Sequence, residues 1–152
     1  MGTKKKTSQH RLDENTDFHD LWYAQNGCTR YFLSNDLMKR WKQHKYKTSS
    51  FKEVGEPYLQ SVLGIDMIRN WRLPYRSALI LPIRYVSTFN PPEEQTHDML
   101  HWRYWGFLCI DCNTPGCFDD RYCPELGGAF ADGLFTLFSQ SEFIKRYRST
   151  NP

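Results

Sequence analysis

Four of the five cysteines stand close together: Cys109 and Cys112 are separated by two residues, and Cys117 and Cys123 follow. Thiolates at short spacing can complete a tetrahedral zinc site, or act as the nucleophilic and resolving thiols of a redox centre when one has a lowered pKa. Cys109 falls inside an apolar run, where alternation with Leu108 and Ile110 points it into a core, an ordinary place for a free thiol. That leaves Cys112, Cys117 and Cys123 as the candidate metal or redox set, with a histidine as a fourth ligand. The plainer reading is free thiols in a reducing compartment.

A second cluster precedes the most apolar stretch. Arg69, Arg72 and Arg76 are interleaved with Trp71 and Tyr75. Guanidinium forks and aromatic faces suit a planar anionic ligand, so Trp71, Arg72, Tyr75 and Arg76 are the candidate ligand contacts. An arginine-bordered surface turn is the alternative. Asp111 could accept hydrogen bonds from a ligand or from the turn after it. His97 and His101 could share a metal only on a helix, which Pro91-Pro92 nearby disfavours. Further upstream, LMKRWKQHKYK carries Lys39, Arg40, Lys42, Lys45 and Lys47 around Trp41, His44 and Tyr46. That composition fits nucleic acid or a small anion, and equally a solvated helix face.

The chain that must position these groups has 152 residues, one domain's length, and 39% hydrophobic residues with an unusually large aromatic share of 16%. Its formal net charge of +3 is far from the footprint of a dedicated nucleic-acid binder. It shows no apolar leader and no run near the ~20 residues of a membrane helix, so the expectation is a cytoplasmic protein without a transmembrane segment. Lys6 stands where a myristoylation signal needs Ser or Thr. Lys4, Lys5 and Lys6 read as a solvated tail.

Residues 1–16 are polar and aperiodic and read as a disordered tail; 17–148 form the domain, and 149–152 a loose end. A short helix is expected from Asp17 to Asn26-Gly27, a strand over Thr29–Leu33, and a helix from Leu37 behind Ser34-Asn35-Asp36. Residues 48–57 read as a loop. Tyr58, Leu59, Val62 and Leu63 have helical spacing, with a turn or short strand after Gly64. SALILPIRY from Ser77 is the clearest strand, buried on both faces, with Pro82 at a bulge or an edge. A long surface connection, Val86–His101, leads to a partner strand ending in WGFLCID. A last helix opens at Pro124, and Leu126, Ala129, Phe130, Gly133, Leu134, Leu137 and Phe138 give it a wholly apolar stripe. Gly127, Gly128 and Gly133 are costly in a helix, so close approach of another element is expected there.

SALILPIRY, the connection, WGFLCID, a turn, Phe118 and a helix with the Ala131-Asp132 pair resemble the C-terminal half of a GAF domain over roughly Tyr75–Phe138. The resemblance implies an α+β fold, an antiparallel β-sheet flanked by helices on both faces, with the first and last helices sharing one face. It also implies a small-molecule pocket closed by the middle segment, here about Asn35–Arg76, and a homodimer through the first and last helices. Asn113-Thr114 and Tyr122 depart from the family's cyclic-nucleotide motif, and no Cys-His dipeptide is present for a bilin. Three functions follow: a non-catalytic small-molecule sensor or regulatory domain, an enzyme like the GAF-type free methionine sulfoxide reductases using Cys112, Cys117 or Cys123, or a ligand-free interaction module. The cofactor is unknown, and a signal would need an output partner.

Overall fold

A sequence whose most apolar run lies mid-chain must surround that run. In the computed structural model, which describes residues 11–22, 30–84 and 104–150, the strand β4 (Ser77–Arg84) is buried along its whole length. Before it come helix α1 (Thr16–Trp22), strand β1 (Phe32–Ser34), helices α2 (Leu37–Lys42) and α3 (Phe51–Val54), and strands β2 (Tyr58–Val62) and β3 (Ile65–Arg69). After it come β5 (Tyr104–Cys112) and the long helix α4 (Tyr122–Thr150). The architecture is α+β with antiparallel sheets.

The main sheet has the order β1-β4-β5, and β2 and β3 form a separate hairpin. Leu79 pairs with Leu33 on one side and Ile110 on the other. Alternation along β4 builds two cores. Ala78 and Ile80 face Leu21 of α1, Phe32, Leu37 and Phe51, whereas Leu79, Leu81 and Ile83 face Ala131, Leu134 and Phe135 of α4. Helices therefore cover both faces of the sheet. The first and last helices lie on opposite faces, not on the shared face that the GAF resemblance implies. Pro82 is tolerated because, among the described residues, β1 pairs only with Ala78–Ile80, so β4 at Pro82 has a neighbour on one side alone, and the ladder slips between Ile83 and Arg84.

Several elements depart from the sequence expectation. Ordered structure begins before Asp17: Asn15, only 2% exposed, accepts hydrogen bonds from Thr48 Oγ1 and from the Ser49 backbone and hydroxyl. Asp17 lies within α1 rather than capping it. β1 is shorter than Thr29–Leu33 and starts at Phe32. The 48–57 loop contains α3. Tyr58–Leu63 is no helix but the first strand of a hairpin, in full register with β3 from Tyr58 opposite Arg69 to Val62 opposite Ile65. The turn between them, Leu63-Gly64, has both residues at positive φ (52° and 76°), as a two-residue type I′ connection requires. The expected helix stop at Asn26-Gly27, the Val86–His101 connection and both its histidines lie outside the described residues.

The expected cap before the second helix is present. Asp36 caps α2 by accepting from Lys39 N–H. Asp119 does the same at α4: its Oδ1 accepts from Arg121 N–H and Tyr122 N–H at 2.9 and 2.8 Å, and these two donors hold its carboxyl below the ordinary value. The stretch after Ser139 continues α4 without a break. Asn35 ties the β5–α4 loop to β1, accepting from Phe118 N–H and donating to Phe118 O and Asp120 Oδ1.

Candidate functional sites

The arginine cluster does not converge. Arg76 is drawn to Asp36, with Nη2 3.3 Å from Oδ1, while its backbone N–H donates to Cys112 O. Its Nε is buried with no hydrogen-bond partner. Arg72 is exposed and reaches Val54 O, and Arg69 is held by Gln60. Trp71 donates from Nε1 to Tyr75 O and packs edge-on against Phe51, 5.5 Å between ring centres. Of the four expected contacts, Tyr75 lines an open cleft with Pro74, Asp111, Cys112 and Asn113.

The electrostatics around that cleft are acidic. Burial raises Asp111. Burial, then the Asp111 charge, raises Tyr75. Asp17, buried beneath α1, is pushed up to about 6 by desolvation, against the pull of Phe18 N–H and the Tyr46 hydroxyl. Tyr46 is itself raised, first by burial and then by Asp17. Held this way, the two phenols and the Cys109 thiol stay protonated and neutral near pH 7.

The cysteines separate into three environments. Cys112 and Cys117 are joined to each other as a disulfide, which replaces the expected free thiols, and the Thr114 hydroxyl lies beside both sulfurs. Cys123 packs among Leu79, Leu81 and Ala131. The alternative zinc set of Cys112, Cys117 and Cys123 is therefore not assembled. Among the described residues no three His, Cys, Asp or Glu side chains are placed to hold a metal. Cys109, expected in a core, is an exposed residue on the β5 edge. Even so, local burial, with Asp111 and Asp17 adding to it, pushes its thiol up to about 11. That is opposite to the shift a redox nucleophile needs.

Two apolar surfaces remain: the outer face of α4, which the sequence placed in a homodimer with the first helix, and the hairpin, which it did not single out. Along α4 the expected stripe divides: Leu134 and Phe135 join the sheet core, while Leu126, Phe130 and Leu137 are 63, 61 and 60% exposed. Tyr122, four residues before Leu126, and Ile144, seven after Leu137, extend that exposed line, and Phe143 flanks it at 71% exposed. Gly127 alone among the α4 glycines touches the sheet, where a Cβ would come 2.8 Å from a Leu81 methyl; Gly128 and Gly133 face open space. In the β2–β3 hairpin every strand residue except Ile68 is exposed, and Leu63 at its tip is 98% exposed. The spacing of Phe130, Leu137 and Ile144 at intervals of seven was the available signal for a second helix face.

No family model, curated protein or solved structure matches the chain. Among the described residues no helix is long and apolar enough to cross a membrane.

Proposed function

We propose that this chain is a non-catalytic interaction module that works by self-association through the outer face of α4. The observation that carries this reading is the exposed line Tyr122, Leu126, Phe130, Leu137 and Ile144 on a helix whose other side is already packed. With Phe143 these side chains present roughly 700 Å² of apolar surface at typical residue sizes. That compares with about 800 Å² per partner in a stable interface.

An antiparallel pairing of two α4 helices about Phe135 sets Leu126 against Ile144 and Leu137 against Gly133, large against small. Glu125 and Asp132 lie before the midpoint, and Lys145, Arg146 and Arg148 after it, with Glu142 the exception. Antiparallel helices therefore oppose unlike charges and unlike dipole ends, whereas parallel ones oppose like charges. Light scattering on the size-exclusion peak of the full chain tests this. The expected result is a dimer that Phe130→Glu and Leu137→Glu convert to a monomer with unchanged thermal stability, since both positions are exposed. A monomeric wild-type chain at micromolar concentration would remove the proposal.

The small-molecule sensor suggested by the GAF resemblance is a second reading, and one observation favours it. Arg76 Nε is a buried donor without a partner, next to the Tyr75–Asp111 cleft, and such orphans are rare unless something outside the chain meets them. A thermal-shift screen of small carboxylates and phosphates, repeated on Arg76→Gln, tests it. A ligand that stabilises both proteins equally does not use Arg76.

A further inference from the structure

The β2–β3 hairpin is an outlier in exposure and in backbone conformation. A two-stranded ribbon is marginal by itself in water, and this one leaves Tyr58, Leu59, Val62, Ile65 and Met67 between 40 and 67% exposed. Its tip is odder still. The first turn position, at φ 52°, is ordinarily Asn, Asp or Gly, yet it holds Leu63 at 98% exposure. A leucine there is strained and buries nothing within the chain, so its benefit must come from outside it.

What flanks the tip indicates what lies outside. Between Leu37 and Lys47 the chain has five cations and no carboxylate. The end of α2 is fastened beside the hairpin, because Lys42 Nζ donates to Asp66 O at 3.1 Å, two residues from the turn. Lys39, Lys42, Lys45 and Lys47 are all exposed. Beside Lys42, the Asp66 carboxylate accepts from Ser61 Oγ and keeps its charge. A convex apolar tip has no groove for a peptide, and the 37–47 segment that Lys42 ties to it carries five cations against the one Asp66 charge, a larger excess than a mixed protein surface would call for. An anionic lipid surface matches both halves: aliphatic side chains enter the acyl boundary while lysines remain among the headgroups.

We propose that the Val62–Ile65 tip, with the lysines of α2 and of the segment after it, docks this protein on anionic bilayers. The site is separate from the α4 face and does not depend on self-association. Co-sedimentation of the full chain with mixed phosphatidylcholine–phosphatidylserine vesicles, against pure phosphatidylcholine, is the test. Partition should be at least about tenfold stronger to the anionic vesicles and fall with added salt. Leu63→Asn should weaken it by about tenfold while thermal stability holds or rises, because Asn suits the turn. Lys39→Gln combined with Lys45→Gln should weaken it by a further factor of roughly 10 to 30. Equal partition to both vesicle types overturns the proposal. So does anionic binding that Leu63→Asn leaves unchanged, which would assign the attraction to basic residues alone. Absence of binding also overturns it and directs the hairpin to a protein partner.

Discussion

β4 and the β2–β3 hairpin are both antiparallel, aliphatic-rich stretches, yet every residue of β4 is buried and nine of the ten hairpin strand residues are exposed. β4 has strands on both sides and a helix layer on each face, so its apolar content is accounted for within the chain. Among the described residues the hairpin pairs only its own two strands, with tethers such as Lys42 to Asp66 O and Asn70 to Glu56 O. Similar residues thus serve folding in one region and are left for an external surface in the other.

The sharpest way to break that comparison is to truncate one leucine from each region. Leu79 is 1% exposed and lies between β1, β5 and α4, so Leu79→Ala should cost about 2–5 kcal/mol through lost burial and a residual cavity. Leu63→Ala should change stability by less than about 0.5 kcal/mol, as exposed substitutions do. Urea denaturation of both variants decides it. A large loss at Leu63 would mean that the hairpin packs on something within the chain and is not a free surface.

The two regions also differ in how legible they were. β4, the Asp36 cap and the part of α4 up to Ser139 follow from local signals: a continuous apolar run, an acceptor before a helix, and a 3.6-residue period. The hairpin was misread because Tyr58, Leu59, Val62 and Leu63 have helical spacing. A Leu-Gly turn carries only half of the usual Asn-Gly signature. Asn15 was assigned to a tail because its anchoring to Thr48 and Ser49 is a tertiary event without periodicity. The candidate sites were less legible still. Nothing local shows that Arg76 pairs with Asp36, forty residues before it in sequence, or that Cys112 bonds to Cys117 rather than binding a metal with Cys123.

An intermediate effect should come from Asp17, a charge-bearing group placed on the buried side of the comparison. Its folded pKa of about 6 lies above the ~3.9 of an unfolded carboxyl, so the native state binds the extra proton between those values. The contribution is fully present below about pH 4 and is lost as pH rises through 6, at most about 3 kcal/mol at 1.36 kcal/mol per unit. Asp17→Asn, which keeps an acceptor for Phe18 N–H, should raise stability at pH 7.5 by about 1–2 kcal/mol and flatten the profile from pH 4 to 7. Thermal melts across that range should show the wild-type chain more stable near pH 4.5 than at 7.5. The opposite slope would mean that Asp17 is charged and paired in the native state.

The smallest effect carries the same contrast into a single helix. Gly127 and Gly133 both cost α4 helix propensity, but a Cβ on Gly127 meets Leu81 at 2.8 Å, whereas one on Gly133 meets nothing. Gly127→Ala should therefore destabilise by about 1–2 kcal/mol as Leu81 is displaced. Gly133→Ala in the isolated chain should stabilise by about 0.5–1 kcal/mol. If two α4 helices meet with Leu137 against Gly133, the added methyl also crowds the partner. Gly133→Ala should then raise the stability of a monomeric Leu137→Glu background while weakening dimerisation of the otherwise wild-type chain. Gains in both settings would show that Gly133 faces water in the dimer and that the helices meet along another line. A loss in both would place Gly133 against an element of its own chain.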